Sequence, residues 1–281
     1  MPEGSLGVRL ATDSVSAGTA LEGVPDGSTI GLGGLLLSRR PTALCRALLR
    51  HGVRDTTIVG IATSFDAEAM LGLGAVRRVR SAFHSLGVFG LGPAHAQAAG
   101  DGTVELQAET EMSIVLGLRA ALAGIGFLPM RAWDGTDYGR ARPDVRPVTC
   151  PYSGDELVAF PRIDVDVALI HGLFADEAGN VHLGSDLAAD RELARAAGRT
   201  VVSVERRVTG QLTDADRVDV LACDIDALVV APAGAHPTAC VPEYGVDGAF
   251  LQAYLDAAAD ARLSQFLSSW TAEEVAASES V

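Results

Sequence analysis

Apolar positions recur along this chain with two periods. Short runs rich in valine and isoleucine, at 56–61, 76–83, 165–171, 199–204 and 227–231, are flanked by turn residues and predict strands. Segments 42–50, 67–73, 111–123, 187–197 and 249–259 carry apolar faces at helical spacing and predict helices. A further strand is expected from near Ser28, because Val24-Pro25-Asp26-Gly27 is a turn in which proline presets φ and glycine supplies a positive one. The helix after it starts near Pro41. Strand-like and helix-like runs in alternation predict an α/β fold with an open, largely parallel sheet covered by helices. No internal repeat or linker divides the chain. Segment 133–146, with three aspartates, two glycines and a proline, reads as a functional excursion rather than a boundary. One domain over 19–262 is expected, between an N-terminal tail at 1–18 and a C-terminal tail at 263–281.

Composition narrows the classes. With 281 residues and 48% of them hydrophobic, the chain can bury a full core. A formal charge of −14 argues against nucleic acid as a partner and against adhesion to an anionic membrane. The four cysteines, at 45, 150, 223 and 240, show no Cys-x-x-Cys spacing. They read as reduced thiols of a cytoplasmic protein, with neither a disulfide framework nor a metal site expected. No signal-peptide pattern opens the sequence, and no apolar run approaches the roughly 20 residues of a membrane span.

Candidate chemistry starts at residues 26–41. There a turn, a short apolar strand and the pair Gly33-Gly34 lead into a polar, basic helix start. Two missing side chains at the end of a strand let a ligand or a second backbone come close. No Walker lysine follows and the third glycine of a dinucleotide fingerprint is missing, so neither nucleotide motif is met. Glu105, Glu109 and Glu111 lie just before the helix at 111–123, with Thr110 as its expected N-cap. That places Glu111 in the first turn, where backbone amides and the helix dipole favour a carboxylate anion suited to act as nucleophile or base. Acidic residues also favour this position for stability alone. Ala175-Asp176-Glu177-Ala178-Gly179-Asn180 reads as a structural turn after a strand. Glu205, at the end of the strand from Val201, reads equally as a crevice wall or as a structural hydrogen-bonding group. His236 precedes Pro237 and reads as a packed or interface residue, and His84 reads as helix packing near a cleft.

Several of these segments together resemble the α subunit of family I coenzyme A transferases. Asp26-Gly27, Ile30, Leu32, Gly33-Gly34 and Pro41 match the family's glycine signature, with Leu35 where an aromatic is usual. Arg39-Arg40 stands where many members have glycine, and resembles the glutaconate branch. Gly126-Phe127-Leu128-Pro129, the turn at 175–180, the strand ending in Glu205 and Gly234-Ala235-His236-Pro237 extend the resemblance over about residues 19–260. The resemblance implies the family I CoA transferase fold and an active site completed by a separate β subunit. That second chain supplies the glutamate of the covalent intermediate, in ping-pong transfer of CoA from an acyl-CoA to a carboxylic acid. The CoA thioester is then a substrate, and no tightly bound cofactor is implied. Substrate contacts are expected from Gly33, Gly34, Ser38, Arg39, Arg40 and Glu205, while Arg77, Arg78 and Arg80 read as solvated arginines on one strand face. Glu111 aligns with a glutamate used by some hydrolases built on the same pair of subunits. The alternative is therefore an acyl-CoA hydrolase, including ring-opening hydrolases of steroid breakdown. A non-catalytic ligand-binding protein on the same fold is the third reading.

Overall fold

A strand forms at each apolar run, and the strands at the runs 56–61, 76–83, 165–171 and 199–204 continue past the ends of theirs. A computed structural model describes residues 13–133, 135–212 and 217–272. Its strands in chain order are β1 (Thr29–Leu32), β2 (Thr56–Thr63), β3 (Val76–His84), β4 (Glu105–Ala108), β5 (Phe127–Met130) and β6 (Arg146–Thr149). They continue with β7 (Glu156–Pro161), β8 (Val167–Ala175), β9 (Val181–His182), β10 (Arg199–Arg207) and β11 (Ala227–Val230). The helices are α1 (Ala17–Leu21), α2 (Thr42–Arg50), α3 (Phe65–Gly72), α4 (Pro93–Asp101) and α5 (Glu111–Leu122). After them come α6 (Tyr138–Ala141), α7 (Asp190–Ala196), α8 (Gly248–Ala259) and α9 (Leu263–Ala272).

The main sheet runs β11-β10-β8-β1-β2-β3-β4 with every neighbour parallel, and β9 pairs antiparallel with β8. It is the open, largely parallel sheet the alternation predicts. Strand order reverses between β1 and β8, which places a topological switch point beside the glycine pair. Alternate residues of the central strands enter opposite layers. Ile30, Ile58, Leu169 and Val201 join Leu44, Phe65 and Met70 on one face, and Val59, Ile170 and Val202 join Ile114, Leu118 and Leu193 on the other. Helices therefore cover both faces, and that is why β2 and β8 read as continuous apolar runs. A second, three-stranded antiparallel sheet, β5-β7-β6, grows from the end of α5. No helix among the described residues is long and apolar enough to cross a membrane.

The packed chain extends past both expected domain limits. Residues from 263 were expected to be tail, yet α9 buries Leu267 and Trp270, and the Trp270 ring meets Phe65 edge-on at 5.3 Å. Its apolar residues fall at helical spacing, and they find their partner surface only once α3 and α8 are assembled. At the other end, α1 begins at Ala17 with Ser16 as N-cap, and the Val15 amide bonds the Leu228 carbonyl. The remainder of each expected tail, 1–12 and 273–281, lies outside the described residues.

Candidate active site

The loop after β1 is built by the two arginines that follow it. Gly33 donates to the Leu169 carbonyl and Gly34 to Asp190 Oδ1, so both amides are taken by the protein. The chain then closes a tight turn in which Leu35 and Ser38 exchange backbone bonds of 3.0 and 2.8 Å. Gly34 has φ +77°, and a Cβ there would lie 2.6 Å from the carbonyl oxygens of Ser38 and Arg39. A Cβ on Gly33 would lie 2.3 Å from Asp190 Oδ1. The room beside the pair is thus occupied by a second stretch of backbone and a buried side chain rather than left for a ligand.

Arg39 and Arg40, expected as substrate contacts, are 1% and 0% exposed. Arg39 spans the carbonyls of His171, Ser185 and Asp186 and pairs with Asp190. Arg40 chelates Asp66 and donates to the carbonyls of Gly34 and Ala62. Burial forces each guanidinium to spend its donors internally. They hold the loop and do not present charge to solvent, which corrects the reading from sequence. Ser38 stays half-buried and donates to Asp186. Arg77, Arg78 and Arg80 bond the Asp55 carbonyl, Glu105 and Glu109 respectively.

At the carboxyl ends of β3 and β4 lies a cavity of about 270 Å³ lined by Ser81, Phe83, His84, His95, Glu109 and Tyr138 among others. His84 is fixed at both nitrogens, with Nδ1 at 2.9 Å from Thr63 Oγ1 and Nε2 at 2.8 Å from Glu68. Glu68 is fully buried and also accepts from the amides of Ala94 and His95 and from the Tyr254 hydroxyl. Burial would raise its pKa, but the bond from His84 leads a set of hydrogen bonds that outweighs it and holds the carboxyl below its usual range. The His95 ring stacks on His84 at 4.2 Å, and burial together with His84 pushes its pKa down to about 4.

Thr110 and Ser113 form a capping box at the start of α5, as the N-cap expectation requires. The two nearby glutamates then separate in role. Glu109 is buried, paired with Arg80 and Arg142 and bonded by the Ser113 hydroxyl. Glu111, the first residue of the helix, is exposed and has neither a hydrogen bond nor an ion pair from its side chain among the described residues. Arg142 and Tyr138 belong to the expected excursion at 133–146, and both fasten it to Glu109, the second through the Glu109 carbonyl. Leu35, Leu36, Ala82 and Val115 pack against the apolar cluster that contains Ile114, so the glycine loop, the end of β3 and the start of α5 rest on one core.

Glu205 is a structural hub beside the buried Arg39 of the loop, whose guanidinium donates to the carbonyl of His171, a partner of Glu205. It accepts from His171 Nε2 at 2.7 Å, from the Ala233 amide at 2.6 Å and from the Tyr244 hydroxyl at 2.6 Å. His171, Glu205 and Cys240 place donor atoms within 4.8 Å of one another, but the His171 nitrogens and the Glu205 oxygens are already committed to protein partners. The structural option for Glu205 thus accounts for its contacts. His236 bonds Asp247 at 2.9 Å and packs against Phe250, the packed role expected of it. Glu68, His95, Tyr138 and Arg142 carry no motif that marks them in the sequence. His84, at a strand end, the acidic cluster at 105–111 and the excursion at 133–146 pointed toward their neighbourhood.

A parallel sheet with a glycine loop at its switch point and a carboxylate-headed helix defines an open α/β protein of the kind whose crevice lies at the strand ends. The Coenzyme A transferase family model matches residues 15–231, and the chain belongs to that family. It is 35% identical over 256 residues to the cholesterol ring-cleaving hydrolase IpdA subunit of Rhodococcus jostii, covering 87% of this chain and 86% of the relative. It is 29% identical over 250 residues to one of the subunits of glutaconate CoA-transferase from Acidaminococcus fermentans, covering 82% of this chain and 78% of the relative. The crystal structure of that transferase superposes with a TM-score of 0.82 at 25% identity, over 93% of this chain and 88% of the other. The decarboxylase AibA/AibB superposes with a TM-score of 0.86 at 30% identity, over 94% and 100%.

Proposed function

We propose that this chain is the α subunit of a heteromeric enzyme acting on acyl-CoA thioesters, with hydrolysis of the acyl part as its reaction and Glu111 as its base. The observation that carries this reading is the contrast at the start of α5, where Glu109 is consumed by two arginines and a serine while Glu111 is exposed and unpaired. Glu111 takes a proton from water, the water oxygen bonds to an acyl carbonyl carbon, the bond from that carbon to the departing group breaks, and the departing group receives the proton. The 35% identity to a hydrolase subunit supports it. A β subunit is supported by the relatives named as subunits and by exposed apolar side chains near the cavity mouth. Phe83 and Val88 are 56% and 96% exposed, with Leu91 and Met112 exposed on neighbouring elements, a pattern that calls for a partner surface.

Transfer of CoA to a carboxylic acid, the first reading from sequence, is the second here, favoured by the likeness to glutaconate CoA-transferase. Glu111→Gln in the complex assembled with its β subunit separates the two. Hydrolysis should fall on the order of 10²–10⁴-fold. Transfer would fall modestly, with a glutamyl-CoA adduct still trapped on the β subunit. Unchanged rates with every acyl-CoA and acceptor would remove Glu111 from the site and leave it a helix-start residue.

A further inference from the structure

His95 lines the cavity at the ends of β3 and β4, and neither hydrolysis by Glu111 nor CoA transfer uses it. Its ring stacks on His84 at 4.2 Å with the two planes 9° apart. Nδ1 is buried and has no hydrogen-bond partner, and Nε2 makes no hydrogen bond among the described residues. A buried polar atom without a partner costs stability, and native proteins keep few of them. The backbone beneath the ring is nevertheless tightly held. The amides of Ala94 and His95 both donate to Glu68 at 2.9 Å, and the same carboxylate meets His84 Nε2 at 2.8 Å. A Cβ on Gly92 would run into that carboxyl, so the start of α4 rests directly on it. One buried carboxylate thus sets both rings in place.

The other polar side chains of the wall are spent on the protein. Ser81 Oγ donates to the Phe83 carbonyl at 2.6 Å, His84 is engaged at both nitrogens, and the Tyr138 hydroxyl donates to the Glu109 carbonyl. The Glu109 carboxylate is paired with Arg80 and Arg142, and the Gln107 amide lies against Glu109 and Arg142. His95 is left as the hydrogen-bonding group that a ligand can claim. Burial, with His84 beside it, pushes its pKa down to about 4, so at neutral pH it offers a hydrogen bond and not a charge. A neutral imidazole donates at one nitrogen and accepts at the other, which suits a hydroxyl or a carbonyl oxygen. The cavity, at about 270 Å³, lies just below the roughly 300–1,000 Å³ of ordinary small-molecule pockets and fits a compact chain.

We propose that His95 determines specificity by hydrogen-bonding an oxygen carried on the acyl chain, so that the site takes compact acyl-CoA thioesters bearing a hydroxyl or keto group in preference to plain saturated ones. The inference rests on the reading of the protein as an acyl-CoA enzyme, with this cavity as its acyl site. An oxygen on the chain gives the His95 ring the partner that the protein does not supply. A saturated chain in the same place would leave the ring unpaired and shut off from water, and that difference is what separates the two substrates.

Binding of butyryl-CoA and of β- and γ-hydroxybutyryl-CoA to the complex assembled with its β subunit tests this without turnover. Wild type should bind one of the hydroxyacyl forms about 10–100-fold more tightly than butyryl-CoA, the span of one buried hydrogen bond made or left unmade. His95→Phe keeps a flat ring against His84 and removes both nitrogens. It should abolish the preference while leaving butyryl-CoA binding unchanged, and His95→Gln, which restores a hydrogen-bonding group, should recover part of it. A purely structural His95 would shift all three ligands together. Equal binding of the three by wild type, or a preference that survives in folded His95→Phe, overturns the inference. If His95→Phe does not fold, histidine ¹⁵N spectra of the wild-type complex decide. The His95 resonances should move with the preferred hydroxyacyl-CoA and stay in place with butyryl-CoA, and resonances that move with neither overturn the inference. Failure of the folded wild-type complex to bind any of the three would instead sink the acyl-CoA reading, and this inference with it.

Discussion

Replacing Asp66 by Asn should be among the most destabilising single changes in this chain. Asp66 and Arg40 are both fully buried, and the carboxylate receives Arg40 Nε at 2.9 Å and a terminal nitrogen at 2.6 Å. Asn has nearly the same shape and retains an acceptor, so the loss is that of the negative charge. A guanidinium left in the interior without a counter-charge costs about 3–5 kcal/mol. Against the roughly 5–15 kcal/mol by which domains are stable, that is a large share. At about 2–4 °C per kcal/mol for a chain of comparable size, the melting temperature should fall by roughly 6–20 °C. The same guanidinium donates to the carbonyls of Gly34 and Ala62, so the glycine loop should loosen along with the pair. Thermal melts and urea titrations of wild type, Asp66→Asn and the double variant Asp66→Leu/Arg40→Met measure the effect. The double variant removes both charges and should recover most of the loss. Asp66→Asn within about 1 kcal/mol of wild type, or a double variant no better than the single, would refute the claim that Arg40 is a buried structural cation.

Gly34→Val should lower the melting temperature as well as abolish activity. A branched residue at φ +77° costs about 1–2 kcal/mol, and its Cβ would meet two carbonyl oxygens at 2.6 Å. A normally melting, active variant would show that the loop does not need this glycine. Acid should destabilise the protein between pH 6.5 and about 4, because burial lowers the pKa of His95 from 6.5 to about 4 and lowers that of His171 as well. The unfolded chain binds more protons in that window, so stability rises with pH through it and is lost as pH falls. Glu68 and Glu205, held low by bonds from His84 and His171 that outweigh burial, add to the loss as pH falls below 4.5. Melts from pH 7 to 4 should show the slope, and His95→Phe should flatten it. A melting temperature independent of pH in this range would contradict the buried, neutral histidines.

How much of this protein its sequence determined follows from the range of the interactions involved. Apolar periodicity and turn chemistry are local, and they placed six of the eight strands of the main sheet to within a few residues, missing β4 and β9, and the helix at 42–50 at its observed limits. The Thr110 cap is equally local, since the side chain and the amide it accepts are three residues apart. The glycine signature likewise carried the family, because the loop it encodes sits at the strand-order reversal of this fold. Local pattern could not say what the glycines make room for, and only the folded chain brings Asp190 against Gly33, 157 positions apart in sequence by subtraction of the two numbers. The same holds for charge. Arg39 and Arg40 read as a basic ligand site until residues 66 and 190 arrive to neutralise them. The helix at 263–272 read as tail because its burial depends on Phe65, and Glu68 went unremarked because its partners are His84, residues 94–95 and Tyr254. A charge or an apolar face shows in the sequence, whereas whether it faces water or a partner is decided by contacts between distant segments, and those exist only in the assembled fold.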